Sequence, residues 1–166
     1  MRLSIYVCAV AVASLVALAG AAFAAGAAIH YVNVRYGYQL DLPDGFGPVR
    51  EAVNADGGVS QAADGQSKIS AWGGNLLLAS LSGDVAGRID SMQREEWQIT
   101  YRKIAGRWAA WSGERDGRIF YARAILLCHD DQAGFLQIEY PAERREEFDP
   151  VVSKLVKSFS KTDCPQ

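Results

Sequence analysis

Across residues 98–140 apolar and polar positions repeat with the short period of strands, and two halves of that stretch, Trp108–Arg115 and residues 118–127, meet at Asp116-Gly117. An Asp-Gly pair between runs rich in aromatic and β-branched residues predicts a two-residue type I′ turn, because both central residues need φ > 0. Counting outward from that turn pairs Arg115 with Arg118. One face then carries Trp111 with Ala122, Ala109 with Ala124 and Gly113 with Phe120; the other carries Trp108 with Ile125, Ala110 with Arg123 and Ser112 with Tyr121. Both faces are mostly apolar. A sheet with one wet side alternates cleanly, so this hairpin needs a cover on each side.

The rest of the chain supplies the candidates. Residues 31–46 read as two short strands around Tyr36-Gly37, ended by Pro43. Residues 47–67 are polar and glycine-rich and read as turns. Asn54, Asp56 and Asp64 offer oxygens for calcium, but the ligand series of a calcium loop, closed by a bidentate Glu, is missing. Strands are expected at 68–73 and 75–80. A helix follows, capped by Ser82 or Asp84, with Val85, Ile89 and Met92 on one face. Strand 97–103 turns at Ala105-Gly106 into the hairpin, a loop spans 129–134, and a last strand covers 135–140 before Pro141. The result is an antiparallel meander. Residues 142–148 form a charged turn or short helix. Asp149-Pro150 then supplies an N-cap and a Pro at the first helical position, ahead of the stripe Val152, Leu155, Val156 and Phe159.

The N-terminus changes the picture from fold to location. One positive charge at Arg2, an apolar run from Ile5 to Leu18 and a small-residue Ala22-x-Ala24 site have the layout of a secretory signal peptide over residues 1–24, with a second cut site after Ala28. The alternative is a retained membrane anchor, since Ile5 to Ile29 is long enough to span a bilayer. Export predicts a periplasmic or secreted protein, without stable membrane insertion once the leader is gone. What remains, residues 29–166, is the length of one domain. Of 17 Lys and Arg and 19 Asp and Glu only Arg2 lies in the leader, so the mature chain is one unit more acidic than the full-length net charge of −2. Such a balance gives no support to nucleic-acid binding.

Two cysteines survive cleavage, Cys128 and Cys164, in a compartment where thiols oxidise. They allow one intramolecular bridge, worth roughly 4 kcal/mol by loop entropy; free thiols, or one reactive thiol, are the alternative. Residues 160–164 reach up to about 16 Å, enough for the tail to fold back toward Cys128.

Signatures of catalysis are missing: the sequence has no Gly-x-Ser-x-Gly, His-Glu-x-x-His, P-loop or Cys-x-x-Cys. Cys128 and His129 are consecutive, so in an extended chain they point to opposite faces and do not form a dyad. No catalytic, metal or cofactor residue is assigned. Arg102, Arg107, Arg118 and Arg123 lie near the central strands, and Arg123 falls opposite Ala110 on a largely apolar face. Its stem can pack while its head reaches an acidic group. With Trp108 and Tyr121 on the same face, Trp108, Tyr121 and Arg123 are the candidate interaction residues, because aromatic and Arg side chains make interface hot spots.

The opening Asn33-x-Arg-Tyr-Gly-Tyr-Gln-Leu-Asp-Leu-Pro-Asp-Gly-Phe46, the closing Ile138-Glu-Tyr-Pro141 and the helix 148–159 resemble the first strands, last strand and C-terminal helix of the PsbP-like fold, shared with Mog-type Ran-binding proteins. The resemblance covers nearly all of residues 31–159 and implies an α+β, α/β/α sandwich: an antiparallel meander with helices on both faces. It also implies a non-enzymatic binding or assembly subunit, and it carries over no ligand or partner residue. The expected protein is an exported, disulfide-stabilised interaction module whose partner is another envelope protein. The alternatives are a small envelope hydrolase, which needs a deep cleft with convergent titratable groups, and a small-ligand carrier, which needs an apolar cavity between sheet and helix.

Overall fold

The computed structural model describes residues 29–78 and 80–163. The leader 1–24, the cut sites Ala24 and Ala28, and Cys164 lie outside the described residues.

Ten strands and two helices follow in the order β1 (Ile29–Asn33), β2 (Tyr38–Leu42), β3 (Arg50–Glu51), β4 (Gly57–Gln61), β5 (Lys68–Asn75), α1 (Leu81–Arg94), β6 (Gln98–Ala105), β7 (Trp108–Arg115), β8 (Arg118–Leu126), β9 (Gln132–Pro141), α2 (Arg145–Ser158) and β10 (Ser160–Lys161). Seven of the strands form one antiparallel sheet in the order β3-β4-β5-β9-β8-β7-β6. The central hairpin has the counted register, Arg115 opposite Arg118 and Trp111 opposite Ala122. Its turn residues Asp116 and Gly117 sit at φ of 49° and 71°, the left-handed region a type I′ turn requires. The meander β6 to β9 forms as expected and is extended by β5, β4 and β3.

Both sheet faces are covered. On one, Leu81, Val85 and Ile89 of α1 pack over Trp111, Phe120, Ala122, Ala124 and Phe135, and Trp97 meets Phe120 edge-on with ring centroids 4.9 Å apart. On the other, Ile69, Ile125, Leu136 and Ile138 meet Phe148 and Leu155 of α2 and Tyr38, Leu40 and Leu42 of β2. The second cover is therefore shared: a three-stranded sheet β1-β2-β10 lies beside α2. After the helix, Ser160 and Lys161 pair with Gln39 and Tyr38, and the Thr162 N–H donates to the Gly37 carbonyl at 2.9 Å.

Four expectations are corrected. Residues 47–67 contain β3 and β4, which alternation could not reveal because two glycines occupy the pairing positions; a Cβ on Gly57 would lie 2.0 Å from the Ala71 carbonyl oxygen, and one on Gly58 2.2 Å from that of Arg50. The strand expected at 75–80 is absent, since β5 ends at Asn75 and Leu77 and Leu78 are exposed. Ser80, rather than Ser82 or Asp84, caps α1, its Oγ accepting from the Gly83 N–H at 3.2 Å. Asp84 is buried in the first turn instead, accepting from the Leu77 N–H at 3.1 Å and from Arg88 Nε at 2.8 Å.

The last correction concerns α2, which begins at Arg145 and carries Pro150 inside it. Glu146 and Glu147 in the first turn suit the helix dipole, and Phe148 stacks on Tyr140 at 4.5 Å, so helix formation starts before the proline. Pro150 forgoes one i→i−4 bond without ending the helix.

Gly73 tests the packing of the second cover. A Cβ there would lie 2.2 Å from Tyr36 Cγ, whereas one on Gly74 would meet nothing within 4 Å. Gly73→Val is expected to destabilise the fold by about 1–3 kcal/mol through overpacking, and Gly74→Ala to leave thermal unfolding nearly unchanged. Equal melting temperatures for the two variants would contradict the packing described.

Candidate interaction surface

The cover over the second face does not reach its end. α2 packs against β2, β8 and β9, while β6 forms the sheet edge with Tyr101 and Lys103 exposed, and Trp108 and Tyr121 are half-buried. Pairing across β6, β7 and β8 arranges this face in rows. Tyr101, Ser112 and Tyr121 make one; Lys103, Ala110 and Arg123 the next; Ala105, Trp108 and Ile125 the third. Small Ala110 between the two cations leaves room for the indole to fill. The Arg123 guanidinium carbon lies 4.9 Å from the Trp108 ring centroid and Lys103 Nζ 5.4 Å from it. Contacts of this kind contribute roughly 0.5–1 kcal/mol each at exposed sites and hold the indole in one orientation.

Trp108, Tyr121 and Arg123 are thus brought together as the sequence pattern predicts. Lys103 and Tyr101 were not anticipated. The turn lies at Gly106-Arg107 rather than the expected Ala105-Gly106, and counting from it places Lys103 opposite Ala110 and Tyr101 opposite Ser112, the register shifting only beyond Tyr101. Arg123 Nε is buried and makes no hydrogen bond. Burial pushes the Tyr121 phenol above its ordinary pKa, with the Arg123 charge opposing, so this phenol stays protonated and can donate. The surface therefore offers cations, hydrogen-bond donors and aromatic faces, a set that suits carboxylates beside apolar or aromatic groups.

Cys128 is half-buried at the end of β8 and borders a cleft of about 350 Å³ shared with Val32, Tyr36, His129, Thr162 and Asp163. The tail leading to Cys164 thus runs into the neighbourhood of Cys128.

Another cleft holds charged groups, several of them paired. Beside the central turn, Glu96, Glu114, Arg115, Asp116 and Arg118 line about 440 Å³, and Glu114 is bonded to Arg145 of α2. The carboxylates with displaced pKa values are Asp64, lowered chiefly by the Gln66 backbone N–H and then by Arg144, and Glu147, lowered by Arg144. Both are stronger acids than usual, the opposite of the raised carboxyl a general acid needs. The space where a carrier would hold ligand, between α1 and the sheet, is filled by Phe120, Phe135 and Val85, each fully buried. Among the described residues no group of three His, Cys, Asp or Glu is placed to hold a metal ion, and no helix is long and apolar enough to cross a membrane.

No protein-family model matches the chain, and no curated protein matches it by sequence. Solved structures do match by fold. Cyanobacterial PsbP (CyanoP) from Synechocystis sp. PCC 6803 superposes with a TM-score of 0.62 at 12% identity, covering 86% of this chain and 98% of that one. The Ran-binding protein Mog1p of Saccharomyces cerevisiae gives 0.59 at 11% identity, covering 82% and 96%. The chain has a PsbP/Mog-like α+β fold.

Arg144 offers an electrostatic test. Its Nη1 bridges Asp64, in the turn between β4 and β5, at 2.6 Å, and its Nε and Nη2 pair with Glu147 of α2. Both carboxylates have lowered pKa values, so their contribution is present above the ordinary carboxylate range and is lost as pH falls through the depressed values. Arg144→Ala should lower the urea midpoint modestly at neutral pH, the pairs being exposed, and the gap to wild type should close on acidification. A gap independent of pH would show that the Arg144 guanidinium over the Phe148 ring, 4.8 Å from its centroid, and not the carboxylate pairing, holds the joint.

Proposed function

We propose that this protein is an exported, non-catalytic interaction module of the cell envelope, which engages another envelope protein through the Trp108, Tyr121 and Arg123 face. The observation that carries this reading is the end of the second sheet face beyond α2, where Lys103 and Arg123 bracket the Trp108 ring. On this face, beyond the reach of α2, the rows end in two cations that flank one aromatic ring. The fold is shared with a Ran-binding protein, so the scaffold is compatible with protein binding; at 11% identity none of that protein's contacts transfers.

A photo-crosslinking residue at Tyr101 should capture one reproducible envelope protein in intact cells. Trp108→Ala with Arg123→Ala should lower that capture roughly 10-fold or more, while thermal unfolding confirms that the double variant folds. Capture of no reproducible protein from Tyr101, or capture indifferent to the double variant, overturns the reading.

Export and the Cys128–Cys164 bridge belong to the same proposal. Support comes from the leader pattern and from Thr162 and Asp163 bordering the cleft that holds Cys128. Mass spectrometry of the exported protein should give a chain beginning after Ala24 or Ala28, lighter by two hydrogens before reduction than after. Alkylation of both thiols without reductant would refute the bridge.

A further inference from the structure

The long free edge of the main sheet lies beside the proposed interaction face. Among the described residues β6, with eight residues, pairs only with β7, whereas the opposite edge, β3, has two. Every second residue of an edge strand turns its N–H and C=O away from the sheet, and an edge of this length offers several such pairs to another strand. Its charge is one-sided. From Gln98 to Arg107 the sequence holds Arg102, Lys103 and Arg107 and no acid, in a chain whose net charge is −2. Arg107 is engaged by Asp130 at 2.9 Å, while Arg102 and Lys103 are exposed.

We infer that β6 is a strand-addition site for an extended acidic segment of a partner polypeptide, an inference that rests on the interaction reading and names how the partner is held. The register makes the recognition specific. A strand laid along β6 continues the existing rows, so its residue opposite Lys103 joins the row Lys103, Ala110, Arg123, and its neighbour on the other face comes opposite Arg102. Two consecutive acidic residues satisfy both positions. The residue entering the row of Tyr101 and Tyr121 meets aromatic side chains and is best apolar. A second copy of this chain is the wrong occupant: antiparallel pairing of two β6 strands around Arg102 and Lys103 sets cation against cation. The register shift near Thr100 confines the straight part of the edge to residues 101–105.

The test uses the exported domain and an eight-residue β-prone peptide with two consecutive glutamates at its centre. Binding is read by intrinsic fluorescence and by amide hydrogen exchange along β6. The glutamate peptide should bind at least roughly 10-fold more tightly than its lysine counterpart, the preference should reverse with Arg102→Glu and Lys103→Glu, and exchange at residues 101–105 should slow. N-methylation at alternate peptide residues should abolish binding in one phase and spare it in the other, because only one set of N–H groups faces β6. Loss in both phases or in neither, or protection elsewhere with β6 unchanged, overturns strand addition, as does absence of binding by either peptide. The interaction reading is judged separately by the Tyr101 crosslink, so one can fail while the other stands.

Discussion

A sheet whose two faces are both apolar cannot stand alone in water, and this constraint organises the protein. Each buried Phe of the α1 face contributes on the order of 3–5 kcal/mol against truncation, which requires α1 to lie across Phe120 and Phe135 and Trp97 to close one end. The opposite face asks for more cover than a single helix of the length of α2 provides. The chain meets it with β1 and β2, placed before the main sheet in sequence, and with a tail that turns back at Phe159 and pairs along β2. The three-stranded sheet is thus a second lid rather than an independent unit. Tyr38 shows how closely it is integrated: the ring is fully buried, meets Phe159 edge-on at 5.9 Å, and donates its hydroxyl to the Asp56 carbonyl at 3.2 Å.

Inside the first lid, polarity is managed by one group. Asp84 is buried within α1, where its carboxylate holds the Leu77 backbone and draws Arg88 inward. Arg88 in turn lies 3.9 Å from the centroid of Phe135, which stacks on Trp72 at 5.5 Å. The loop entering the helix, the helix itself and the sheet are joined through this single chain of contacts. An Asp at the fourth position after a Ser cap looks like ordinary first-turn chemistry in sequence; that it is desolvated and paired depends on the loop folding over it.

What could be read in advance follows from how local its cause is. The hairpin register was legible because Asp116-Gly117 admits one turn type and counting does the rest, and so the gathering of Trp108, Tyr121 and Arg123 on one face was legible too. The strands β3 and β4 were not, because their pairing depends on the absence of side chains at Gly57 and Gly58, and absence carries no hydrophobic period. The start of α2 is hidden because Pro150 is a strong local signal, yet the helix forms from Arg145 with Phe148 buried against Tyr140 despite the roughly 3 kcal/mol a proline costs inside a helix. Lys103 and Tyr101 were less legible because the turn before β7 has no Asp-Gly signal, and placing it at Ala105-Gly106 instead of Gly106-Arg107 pairs both with the wrong residues of β7.

The register shift within β6 bears on specificity. Long edge strands invite indiscriminate pairing, and proteins blunt them with lysines, irregular register or brevity. β3 is blunted by brevity; β6 keeps its length and carries both a register shift and adjacent cations. Cations alone would be protection. They become selection because Lys103 is not isolated: across Ala110 lies Arg123, and between them lies an indole already oriented. A neutral or basic strand approaching this edge must desolvate Lys103 with nothing in return, and an acidic one meets Lys103 on one face and Arg102 on the other. Exclusion of like strands and acceptance of an acidic one are then two consequences of the same pair of adjacent cations on β6.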